Sequence, residues 1–119
     1  MRERKLVYIA SPYSGDRKQN TEFAKSTCRY AMNQGVIPIA VHLLYPQFLD
    51  DQCSKERNQG IQMGIRILKA CDELWICGEH ISQGMQQEID MANRLGIPMK
   101  TIPTEQIQQE ILAIQMRTV

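Results

Sequence analysis

Residues 72–102, DELWICGEHISQGMQQEIDMANRLGIPMKTI, hold a strand, a loop, a helix and a second strand in that order. DELWICG (72–78) is a short apolar run closed by Gly78, as a strand requires. EHISQG (79–84) is a loop. Met85, Ile89, Met91, Ala92 and Leu95 then gather on one arc of a helical wheel, and Gly96 supplies the stop. PMKTI (98–102) reads as the next strand. A strand, a helix and a strand in succession make a βαβ unit, which pairs its strands in parallel through a right-handed crossover.

The same alternation extends upstream. KLVYIAS (5–11) is apolar throughout its centre, as expected of a strand covered on both faces. After the loop PYSGDRKQN, residues Phe23, Ala24, Thr27, Tyr30 and Ala31 recur at helical spacing from about Thr21 to Gln34, ahead of Gly35. VIPIAV (36–41) is a strand in which Pro38, lacking an N–H, predicts a sheet edge. HLLYPQFLDDQCS is irregular and interrupted by proline, and Ile61, Ile65 and Leu68 then define a helix over 55–70. A last helix over 104–116 presents Ile107, Ile111, Leu112 and Ile114 as a packing face. The expectation is an α/β domain spanning 1–119, doubly wound, with a parallel sheet of four to five strands and helices on both faces.

Composition bounds the function. With 43% hydrophobic and 23% charged residues, the 119-residue chain has the make-up of a soluble globular protein. Fourteen basic against thirteen acidic residues leave a net charge of +1, which offers no footprint for a nucleic-acid polymer or an anionic membrane. The N-terminal apolar run is too short for a signal core or a membrane span. Cys28, Cys53, Cys71 and Cys77 lack metal-ligand spacing and read as free thiols in a reducing cytoplasm. With only His42 and His80, a histidine-rich metal site is not expected.

One residue breaks the pattern. Glu88 falls inside the apolar arc of its helix, about one turn in, whereas Gln86, Gln87, Asp90, Asn93 and Arg94 take the opposite arc. A carboxylate against apolar neighbours costs several kcal/mol unless it is bonded or neutralised. It is either tuned for nucleophilic or general-base chemistry, or paired with a buried cation such as Arg57. In an open parallel sheet the ligand crevice lies beyond the carboxyl ends of the strands. That rule selects the loops SPYSGD, VHLLYPQ and GEHISQGM. In the first, Ser11, Tyr13, Ser14 and Gly15 suit either a phosphate cradle or an ordinary turn. His42 follows the second strand as a binding or a structural histidine. Arg57 shares an arc with Ile61, Ile65 and Leu68, positioned to hold phosphate or to pair with Glu88 or Asp51. Asp50, Asp51 and Asp72 read as caps.

YIASPYSG, PIAVHLLYPQFLDD, CDELWICG and the S-x-G-x-x-x-E segment formed by Ser82, Gly84 and Glu88 resemble the nucleoside 2-deoxyribosyltransferase-like superfamily, from about Lys5 to Ile102. The resemblance implies a flavodoxin- or Rossmann-like fold, with Glu88 as the nucleophile toward a 2-deoxyribosyl anomeric carbon and Tyr8 orienting it. It also implies a small nucleotide or nucleoside as substrate, no cofactor, and a homodimer or higher oligomer. Six residues before the glutamate, Ser82 matches the branch that hydrolyses deoxynucleoside 5′-monophosphates, where a serine meets the phosphate. Eight residues before Asp72, where the superfamily has an aspartate acting on the leaving base, this chain has Gly64. Either Glu56 or His42 substitutes, or the protein binds nucleotides without turning them over.

Overall fold

The computed structural model describes residues 3–117. Four strands, β1 (Leu6–Ala10), β2 (Ile37–Ile39), β3 (Glu73–Cys77) and β4 (Met99–Ile102), form one parallel sheet in the order β2-β1-β3-β4. The helices are α1 (Arg17–Asn33), α2 (Ser54–Ala70), α3 (Gln83–Leu95) and α4 (Thr104–Arg117). Pro38 does place β2 at an edge, where its missing N–H is harmless.

Strand alternation divides the core. Val7, Ile9, Trp75 and Cys77 point toward α1 and α4, where they meet Tyr30, Ala31 and Ile107. Tyr8, Ala10 and Leu74 point the other way, toward Leu68 of α2 and Ala92 of α3. Burying a side chain the size of Ile9 or Leu74 contributes about 1.5–3 kcal/mol, so both faces of the sheet carry stability. The chain runs from β1 outward to β2, then back across β1 to β3. That reversal separates α1 from α2 and α3, and in open parallel sheets the carboxyl ends of the strands beside such a reversal, here β1 and β3, are where ligands bind.

Several boundaries differ from the sequence reading. Helix α1 begins at Arg17 rather than near Thr21, because the Asp16 side chain caps it by accepting the Gln19 N–H at 3.1 Å. The segment after β2 forms two short 3-10 turns, Val41–Leu43 and Tyr45–Gln47. On α2 the buried positions are Gly64 and Leu68, so Ile61 is 43% exposed and Arg57 faces solvent. Leu95 and Leu112 are also exposed, whereas Ile107 and Ile111 pack on the core. Asp72 accepts the Leu6 N–H and Asp50 the Gln52 N–H, as caps; Asp51 instead pairs with Arg17. All four cysteines are free thiols. Among the described residues, no helix is long and apolar enough to cross a membrane.

Candidate functional site

Glu73 and Glu88 turn toward opposite faces of the sheet, and their surroundings differ. Glu73, at the amino end of β3, has both oxygens engaged: Trp75 Nε1 donates to one at 2.9 Å and Lys5 Nζ to the other at 2.7 Å. Those bonds, Lys5 first, hold its carboxyl below the usual range. Such a fully partnered group is structural.

Glu88 lies at the opposite end of the sheet and is half engaged. The Tyr8 hydroxyl, rising from β1, donates to Glu88 Oε2. Burial, reinforced by the Glu88 charge, pushes the Tyr8 hydroxyl far above its ordinary pKa, so it remains a proton donor. Glu88 Oε1 is buried and accepts no hydrogen bond. His42 Nε2 stands 3.8 Å from it, beyond hydrogen-bond distance. An unsatisfied buried acceptor costs about 1–3 kcal/mol, so the free Oε1 is the exceptional feature of this carboxylate. Helix α3 starts at Gln83, so Glu88 is in its second turn, where the helix-end field has weakened.

The glutamate is reached through stacked side chains. His42 stacks on Tyr13, with ring centroids 5.3 Å apart and planes 11° from parallel. The Arg17 guanidinium lies 5.2 Å from the Tyr13 ring centroid, and Arg17 Nη2 pairs with Asp51 Oδ2 at 3.1 Å. Asn20 Nδ2 donates to the carbonyls of Tyr13 and Ser14, holding the loop beneath this stack. Neither Arg17 nor Asn20 stood out in the sequence; Asp16 as a helix cap was the available signal that both belong to the first turns of α1.

The other residues expected at a site are placed as follows. Ser11 is fully buried with its Oγ unpartnered, immediately after β1. Ser14 and Gly15 are exposed in the following loop. Ser82 caps α3, its Oγ accepting the Met85 N–H at 3.2 Å, which leaves the hydroxyl proton free to donate. Gly84 is exposed in the first turn of α3. Arg57 is not brought to the site: it is exposed, and no ion pair joins it to Glu88 or Asp51 among the described residues. The alternative in which Arg57 pairs with Glu88 is not formed, and Tyr8 and His42 approach that carboxylate instead.

Two glycines allow this arrangement. A Cβ on Gly64 would lie 3.3 Å from the Tyr8 hydroxyl, so α2 leaves space for the hydroxyl by lacking a side chain there. Gly78 ends β3 with φ +115°, and a Cβ on it would meet Pro12 Cδ at 2.9 Å. The Pro12 ring of the loop after β1 thus packs closely on the end of β3.

Tyr8→Phe tests the first of these contacts. It should cost about 1–3 kcal/mol, read from denaturant midpoints, because Glu88 Oε2 would stay buried without a donor. A loss below a few tenths of a kcal/mol would mean that the bond carries no weight.

The comparisons agree with this fold. Among solved structures the chain is similar to a 2-deoxyribosyltransferase from the psychrotolerant bacterium Bacillus psychrosaccharolyticus. The TM-score is 0.68 at 13% identity, with 82% of this chain and 72% of that chain covered. No curated protein matches. A family model described as a domain of unknown function, DUF7768, matches residues 5–102. By that match over most of its length, the chain belongs to the DUF7768 family.

Proposed function

We propose that the protein cleaves the N-glycosidic bond of a 2′-deoxynucleotide, passing the sugar to water or to another base, with Glu88 as the nucleophile. The observation that carries this reading is the asymmetric state of the Glu88 carboxylate. Oε2 is held by Tyr8, while Oε1 is buried and unpartnered, with His42 Nε2 3.8 Å away. A carboxylate so oriented is ready to attack an anomeric carbon. The fold shared with a 2-deoxyribosyltransferase supports the substrate class. Tyr8 orients the nucleophile, and Ser82 and Gly84, with Ser11, Tyr13, Ser14 and Gly15, hold the phosphate and sugar. His42 lies at the crevice wall, and Arg57 could reach phosphate only from solvent. The reading requires no metal or organic cofactor and places the protein in the cytoplasm. Incubation with each deoxynucleoside 5′-monophosphate should release free base, detected by chromatography. No release from any of them overturns the reading.

A second reading has its own observation. Gly64 provides no acid toward a leaving base, which favours a protein that binds nucleotides as a sensor or sequestering protein. Calorimetric binding without product supports it, and turnover removes it. On either reading we expect at least a dimer, since Leu44 and Phe48, 52% and 61% exposed, offer apolar surface for an interface. Light scattering on the eluted protein should give twice the chain mass or more, and a clean monomer rejects this.

A further inference from the structure

We infer that His42 donates the proton to the departing base, doing from the turn after β2 what the side-chain-free Gly64 on α2 does not. This rests on the glycosidase reading above. Two side chains with an exchangeable proton approach the Glu88 carboxylate among the described residues, Tyr8 and His42. The Tyr8 proton is committed to Oε2, and burial keeps that hydroxyl from ionising. Glu56, the other candidate from sequence, is occupied elsewhere: its Oε1 accepts the Asp50 N–H at 3.0 Å. His42 remains. Its ring plane is set by the Tyr13 stack, and Nε2 faces the free oxygen of Glu88 without being bonded to it. Histidine is the side chain whose ordinary titration suits proton transfer near neutrality.

Around His42, Glu88 and, bonded to it, Tyr8 lie on the inner side, with Glu88 Oε1 3.8 Å from Nε2. Tyr13 lies on its other side. Arg17, beyond Tyr13, is offset by Asp51 at 3.1 Å. In the first step Glu88 Oε1 bonds to C1′ and the C1′–N bond breaks, its electron pair passing to the base. The His42 Nε2 proton transfers to a nitrogen of that base, leaving neutral imidazole and a glycosyl ester. In the second step water oxygen bonds to C1′ and the ester C1′–O bond breaks, returning its pair to the carboxylate. His42 Nε2 takes the water proton, which restores the starting state.

Acid and nucleophile in retaining glycosidases stand about 5–5.5 Å apart, so a bound sugar would widen the present gap by about 1.5 Å. His42 sits in the three-residue turn Val41–Leu43, outside the regular helices and strands, so the shift can be taken up by its side chain sliding along the Tyr13 ring.

The test compares wild type, His42→Gln and Glu88→Gln on a deoxynucleoside 5′-monophosphate and on 4-nitrophenyl 2-deoxyribose 5-phosphate, whose leaving group needs no proton. His42→Gln should lower kcat/KM, which reports the first step alone, about 10²–10⁴-fold on the nucleotide and less than about 10-fold on the nitrophenyl substrate. The first step consumes a proton from the donor, so wild-type kcat/KM on the nucleotide should fall toward high pH. His42→Gln should lack that limb. Equal losses on both substrates, or survival of the basic limb in His42→Gln, overturn the inference and leave the glycosidase reading standing. Failure of wild type on both substrates, or rates indifferent to Glu88→Gln, overturn both.

Discussion

Glu88→Gln should reduce base release from a deoxynucleoside 5′-monophosphate by on the order of 10⁴–10⁶-fold, the usual scale for removing a nucleophile. The substitution is nearly isosteric. Its carbonyl oxygen can still accept from Tyr8, so the packing of α3 against β1 is kept. What disappears is the negative charge on the unpartnered oxygen, which is the reacting group of the proposal. Because a neutral amide is also cheaper to bury than a carboxylate, the variant should be at least as stable as wild type. Rates by chromatography and thermal melting on the same preparation check both halves. Residual activity within about tenfold of wild type would remove Glu88 as the nucleophile, whatever the stability. Unfolding would point instead to a structural carboxylate like Glu73.

Gly64→Val should be the most damaging single change on α2. A Cβ alone would stand 3.3 Å from the Tyr8 hydroxyl and 3.9 Å from Val41 Cγ2, and the two added methyl groups have to displace one or the other. Overpacking a filled interior costs about 1–3 kcal/mol, offset only by the roughly 0.3–0.5 kcal/mol that a helix gains on exchanging glycine for valine. Activity has no such compensation, since moving the Tyr8 hydroxyl unseats Glu88. Base release should fall at least about tenfold with a smaller change in melting temperature, because misplacement by an ångström can cost on the order of a hundredfold. Gly64→Ala is the graded control, and it should fall between wild type and valine in rate. Wild-type turnover by Gly64→Val would show that the hydroxyl has room to spare.

The contrast on α2 explains which features of the site were legible from residues alone. Strands and crossovers followed from apolar runs and stops, and Glu88 declared itself as a charge within an apolar arc. The buried face of α2 was not legible, because Gly60 and Gly64 contribute to it without apolar side chains. Leu49 approaches Gly60 and Tyr8 approaches Gly64, so the partners supply the bulk that the helix lacks. A count of apolar residues therefore selected the arc of Ile61 and turned Arg57 inward, when both face solvent. The start of α1 was hidden similarly, since its first residues, RKQN, carry no apolar period. The stack of Arg17, Tyr13 and His42 joins two different loops, and no local pattern reports a contact between residues 13 and 42.

The abutment of Gly78 against Pro12 limits how relatives of this chain can diverge. An insertion in either strand-to-helix connection would have to part the Pro12 ring from Gly78, and any side chain at position 78 would collide with that ring. New substrate preferences are therefore more readily reached by exchanging side chains at the rim than by growing either connection, and the length of both should be the most heritable property of the pocket.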